Sequence, residues 1–165
     1  MKLIDKIADN FLKIVMALSS LTLFVVTFAQ VVFRFLFKYP LPWSQDVIRI
    51  CFVYLVFFGA AYCVKEEAHL NVDVLLTMMK AKMRIAVELI INIVVLCFFV
   101  FIIYFGFEFV ATGQNQFAPY LPIPMSLYYL SVPISGVFMI YYAVKQIFNQ
   151  IKKLMDKDGI GGDMA

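Results

Sequence analysis

The sequence predicts an all-α integral membrane protein: four transmembrane helices, both termini cytoplasmic, and a short amphipathic surface helix between spans 2 and 3. Three observations lead there. Of 165 residues, 64% are hydrophobic and 15% charged, against roughly half and about a quarter in a soluble domain. The mean hydropathy is +0.90. The apolar residues also come in long runs without a 2- or 3.6-residue period, and a run of about 20 is what a helix needs to cross a hydrocarbon core of roughly 30 Å. The chain reads as a single membrane domain without internal repeats.

The first span is expected over about 12–37. Its twenty residues from Ile14 to Phe33 carry no charge. A basic start before an apolar run also suits a signal peptide, but this run exceeds the usual h-region of roughly 7–15 residues. Thr27-Phe28-Ala29-Gln30 offers no small-x-small cleavage site, so the helix is read as retained. Pro40 and Pro42 then break the chain, because each lacks an amide donor and disfavours helix at the residue before it. Ser44 is the expected N-cap of a second span over about 44–64, with Asp46 in its first turn facing the positive end of the dipole.

Between Lys65 and Arg84, Val72, Leu75, Leu76, Met79 and Met83 follow helical spacing, with Asp73, Thr77, Lys80 and Arg84 opposite. That pattern fits a surface helix over about 69–82; a plain cytoplasmic loop is the alternative. A third span is expected over about 85–110 and a fourth over about 125–148. The uncharged loop between them is marked by Gly113, Pro119, Pro122 and Pro124. Pro133 should bend the fourth span. The tail over about 156–165 is expected to be flexible. Eleven of the fourteen lysines and arginines fall at the N-terminus, in the middle segment or at the C-terminal end, which by the positive-inside rule puts both termini in the cytoplasm.

Composition also excludes function classes. A net charge of +3 is too small to point to a nucleic-acid partner, and a single histidine argues against haem ligation or a zinc set. Cys51, Cys63 and Cys97 lie in apolar runs without CxxC spacing and read as small buried hydrophobes. Ionisable groups in a membrane core are costly and therefore informative. The first span has none between Ile14 and Phe33, and Asn92 is the one strongly polar side chain between Leu89 and Phe107. Paired carboxylates, a Ser-His-Asp set and a phosphate loop are all missing from the pattern, so no catalytic residues, no cofactor and no metal are expected.

Six residues stand out instead. Arg34, Trp43, Asp46 and Arg49 gather at the outer end of the first two spans. An Arg34–Asp46–Arg49 network could clamp the helix ends together, with Trp43 as an interfacial aromatic; the other reading is a docking point for a partner outside the membrane. On the cytoplasmic side, His69 and Asp73 stand four apart and would meet on a helix.

The order of these features resembles a known family. Phe33-Arg34-Phe35-Leu36-Phe37 is followed by Pro40-Leu41-Pro42-Trp43-Ser44-Gln45-Asp46 and Arg49, then by Phe57-Phe58-Gly59-Ala60-Ala61 and Glu67-Ala68-His69-Leu70-Asn71-Val72-Asp73. The string is similar to the small membrane subunit (Q subunit) of tripartite ATP-independent periplasmic (TRAP) transporters, although Gln45 stands where that family commonly has an acidic residue. The resemblance implies a non-catalytic subunit in the bacterial inner membrane, among membrane lipids. Its partners would be a large membrane subunit, which holds the substrate and sodium sites, and transiently a periplasmic substrate-binding receptor. The cargo would be an organic acid such as a C4-dicarboxylate or sialic acid. The small subunit would widen the scaffold against which the large subunit's elevator domain moves. A four-helix multidrug transporter fails for want of a carboxylate in the first span, and a membrane enzyme for want of acid–base groups. A structural anchor of another inner-membrane complex remains the alternative.

Overall fold

The computed structural model describes residues 2–66 and 81–160. They form helices α1 (Lys2–Leu36), α2 (Trp43–Lys65), α3 (Ala81–Gly113), the single turn α4 (Ser126–Tyr129) and α5 (Ser131–Ile160). Four stretches are long and apolar enough to cross a membrane: Asp5–Leu36, Trp43–Lys65, Leu89–Gly113 and Ser126–Phe148. Among the described residues no strand occurs; the one β feature is an isolated bridge between Phe117 and Pro124. The surface-helix segment expected over 69–82 falls almost entirely outside the described residues, as do His69 and Asp73.

Helix α1 starts about ten residues before the expected span. Ala8 and Leu12 are buried at i, i+4, so the polar N-terminal segment continues the helix as an amphipathic extension. At the other terminus α5 runs on to Ile160, into the segment expected to be a flexible tail. The helices pack in the order α1, α2, α5, α3, with α5 touching both α2 and α3. The core is built where α1, α2, α5 and α3 converge, around Leu12, Phe58, Ala61, Phe99, Met139 and Tyr142.

Helix α3 meets α5 through a seven-residue repeat. Asn92, Phe99, Gly106 and Gly113 are all buried, with Val95, Leu96, Ile102 and Ile103 half-buried between them. This spacing keeps one seam against a partner helix. The seam is tight: a Cβ added at Gly136 of α5 would lie 2.5 Å from Cγ1 of Ile103, and one at Gly113 would lie 2.8 Å from the Ser126 backbone nitrogen. Lipid gives helices no hydrophobic reason to associate, so close approach at small residues takes over that role.

One local expectation is corrected. Ser44 does not cap α2; its hydroxyl donates to the Leu41 carbonyl at 2.6 Å, and Pro42 occupies the cap position without a side-chain bond. Pro133 interrupts the fourth span, Ser126–Phe148, while the backbone stays helical through Leu130. Its ring would clash with the Tyr129 carbonyl and it has no N–H to offer, so the helix is divided at Leu130 and Pro133 sits in the first turn of α5. Of the cysteines, Cys51 is half-buried while Cys63 and Cys97 are exposed on helix faces, and all three are free.

Candidate partner-contact surface

At the end of the bundle that carries the 37–42 and 114–125 loops, Asp46 is the organising residue. It is 3% exposed. Its Oδ2 accepts the backbone N–H of Tyr120 at 2.8 Å and that of Leu121 at 2.9 Å. The Tyr128 hydroxyl donates to the Asp46 carbonyl at 3.2 Å, and the Tyr54 hydroxyl to the Leu127 carbonyl at 3.1 Å. The loop itself is drawn into a tight fold by Ala118 N–H to the Ile123 carbonyl (2.9 Å) and Met125 N–H to the Gln116 carbonyl (2.7 Å). The start of α2 and the α3–α4 connection are thereby one unit.

That arrangement differs from the expected clamp. Asp46 forms no ion pair with Arg34 or Arg49; its carboxylate is turned to the loop amides, and both arginines are exposed. Two short bonds to backbone N–H groups satisfy a buried carboxylate without immobilising long side chains. Among the described residues neither Arg34 in the last turn of α1 nor Arg49 on the face of α2 has an ion-pair partner, and both present their charge outward. Around them Trp43, Phe117 and Tyr120 are exposed, an aromatic rim of the kind found at membrane–water boundaries and in contact patches.

The opposite end, where α1 begins, holds a polar cluster that the sequence reading missed. Asp5 pairs with Lys145 at 2.7 Å and accepts the Tyr141 hydroxyl at 2.9 Å. Asp9 pairs with Lys65 at 2.8 Å and accepts the Tyr142 hydroxyl at 2.8 Å. The Gln146 amide donates to the Val64 carbonyl, and Asn92 Nδ2 to Gln150 Oε1 at 2.8 Å. Lys13 and Lys65 both lie over the Tyr62 ring, at 5.7 and 5.0 Å. Asp5 and Asp9 stand one helical turn apart, and so do Tyr141 and Lys145; these spacings were the available signal.

Chemically, the interior polar groups are spent on the fold. Ser131 and Ser135 donate to carbonyls three residues back, and among the described residues every buried side-chain nitrogen and oxygen has a partner. Among the described residues no group of three His, Cys, Asp or Glu could hold a metal ion. The unspent surface lies outside, on α1 (Leu21, Phe24, Phe28) and α3 (Phe98, Phe101, Tyr104), all strongly exposed.

A family model, "Tripartite ATP-independent periplasmic transporters, DctQ component", matches residues 23–153. A small permease homologue from Haemophilus influenzae is 29% identical over 93% of both chains. The sialic acid TRAP transporter small permease protein SiaQ of Vibrio cholerae is 28% identical over 94% of this chain and 90% of its own. The sialic acid TRAP transporter permease protein SiaT of Haemophilus influenzae is 33% identical over 52% of this chain and only 14% of its own.

Proposed function

Because this chain belongs to the DctQ-component family of the tripartite ATP-independent periplasmic transporters, and is thus a multi-pass, non-catalytic transporter subunit of the bacterial inner membrane, we propose that it is the scaffold of a sodium-coupled, receptor-dependent importer of an organic acid. The cargo and sodium sites lie in a large elevator-type partner subunit. This chain widens the static part of the assembly, and its Arg34–Arg49 end contributes to docking of the periplasmic receptor. Both termini face the cytoplasm.

One observation carries this reading: the chain fastens both of its ends with its own polar groups and leaves the apolar flanks of α1 and α3 bare. A protein that moved cargo by itself would keep polar groups unspent near mid-membrane. The SiaT relative adds support, since a segment resembling half of this chain there forms a small part of a much longer permease, which favours a large partner for this chain. Relatives named for sialic acid, ectoine and C4-dicarboxylate transport share a carboxylate in their cargo.

The test is a mild-detergent pull-down of the tagged chain from its native membrane, followed by uptake into liposomes. A stoichiometric large polytopic partner, and uptake of a carboxylate that needs that partner, a sodium gradient and the receptor, is the expected result. The Arg34→Ala/Arg49→Ala pair should weaken assembly or receptor-driven uptake. Sodium-driven uptake by this chain alone would overturn the scaffold.

A further inference from the structure

Helices α2 and α3 both pack on α5 but scarcely on each other, so a lateral cleft opens between them. Its cavity volume is about 420 Å³. Val53 and Phe57 form one wall, Phe109 the other, and Tyr129 and Val132 the floor, with Arg49 at the mouth. Arg49, Val53 and Phe57 succeed each other at four-residue steps, so at 1.5 Å per residue the slot runs roughly 12 Å along α2 from the arginine toward the middle of the bilayer. Arg49 itself lies about 9 Å inside the start of α2. It is exposed and forms no ion pair among the described residues, while Asp46, three residues earlier, turns its Oδ2 to the loop amides.

We propose that this cleft binds one anionic phospholipid, phosphatidylglycerol in chemical class, with its phosphate on the Arg49 guanidinium and an acyl chain along Val53 and Phe57. Among the described residues Arg49 has no ion-pair partner, so its guanidinium donors at the end of an apolar slot are left for an outside group, and the guanidinium fork matches a phosphate with two parallel hydrogen bonds. The apolar slot starts at the charge and continues in the direction an acyl chain takes from its headgroup. An apolar protein segment would fill the slot but leave the cation unanswered. A free phosphate would answer the cation but leave the slot unused.

The test uses the full chain in phosphatidylcholine vesicles containing a trace of phosphatidylglycerol with a photoactivatable diazirine in its acyl chain. Cross-links are mapped by mass spectrometry. Labels should concentrate on Phe109, Val53 and the 129–132 segment. A phosphatidylcholine probe should mark these sites no more than lipid-facing residues such as Phe24 and Phe28. Arg49→Gln should reduce the cleft label about tenfold, the loss expected for a charge-assisted hydrogen bond. Arg49→Lys should retain much of it, which separates lost charge from lost fold. Val53→Trp should block the slot while Arg49 stays. Equal labelling by both probes, or cleft labels unchanged in Arg49→Gln, means an ordinary boundary lipid and overturns the site. So does competition by inorganic phosphate. Protection of the cleft when the chain is labelled together with its co-purified membrane partner means a protein interface and overturns it too.

Discussion

Replacing Asp46 by alanine should release the α3–α4 loop from the start of α2. The carboxylate accepts two backbone amides at 2.8 and 2.9 Å while only 3% of the residue is exposed. Hydrogen bonds to a charged group contribute about 1.5–3 kcal/mol each. Tyr120 is 58% exposed, so water can take over part of what is lost, and the lower half of the range applies. A loss of about 3 kcal/mol in local closure follows for the pair, equivalent to roughly a hundredfold in the opening equilibrium. The assay is amide hydrogen exchange on the full chain in a lipid nanodisc. Exchange at Tyr120 and Leu121 should accelerate by about two orders of magnitude in Asp46→Ala. The α3–α5 seam should be unaffected. Asp46→Asn keeps an acceptor oxygen but not the charge, and about a tenfold change is expected. Tyr128→Phe, which removes the hydroxyl on the Asp46 carbonyl, should show a similar small effect. Unchanged exchange at the two amides in Asp46→Ala would refute the reasoning, and so would an asparagine variant as loose as the alanine.

Three further outcomes can be checked by thermal or denaturant unfolding in detergent. Gly136→Ala forces a Cβ to within 2.5 Å of Ile103 Cγ1 and should destabilise by about 1–3 kcal/mol; adding Ile103→Ala should recover part of that, and strictly additive losses would show that the two positions do not touch. Asp9→Asn weakens both the Lys65 pair and the Tyr142 hydroxyl bond; about 1–2 kcal/mol is expected for this partly exposed site, with Tyr142→Phe costing little more once Asp9 is gone. Lys38 sits at φ 51° just beyond α1, a conformation that costs a non-glycine residue roughly 1 kcal/mol, so Lys38→Gly should stabilise by about that amount, and a destabilised variant would mean that the lysine side chain has a role in holding the loop.

The membrane helices were legible because lipid imposes a crude requirement: an uncharged run of fixed length, which Ile14–Phe33 and Leu89–Phe107 meet. The fastenings were less legible. Asp5 and Tyr141 are 136 residues apart in sequence, and Asp9 and Tyr142 133 apart, so nothing local announces either pair. The sequence pairs Asp46 with arginines, whereas the groups it holds are backbone amides that every residue except proline carries. The seam of α3 was written in the sequence at Asn92, Phe99, Gly106 and Gly113, yet phenylalanines on every other face of that helix hide the seven-residue repeat. Pro133 was read for the bend that a mid-helix proline gives. It divides the fourth span at Leu130, where the backbone nonetheless keeps helical angles.

The distribution of these fastenings bears on what kind of body the chain forms. Helix α5, with the turn α4 that leads into it, is bound to α2 near one end through Tyr54 to Leu127 and Tyr128 to Asp46, and near the other through Gln146 to Val64. It is bound to α3 by Asn92–Gln150 and by the glycine contacts at Gly106, Gly113 and Gly136. Polar ties at both ends of a helix pair resist sliding and splaying together, and the close-packed glycine seams leave little room for repacking. Helix α1 is different. Its ion pairs and hydrogen bonds, Asp5 and Asp9 to α5 and α2, lie within its first three turns, and beyond Leu12 it packs on α2 along a stripe of Met16, Ser19, Leu23, Val26 and Gln30 while Leu21, Phe24, Val25 and Phe28 stay bare. A three-helix body tied at both ends, with a fourth helix whose polar ties lie at one end and whose remaining contact is packing on α2, suits the proposed scaffold better than a carrier, since a carrier must have a joint between two parts that hold the cargo, and here the ties cross the positions where such a joint would have to open.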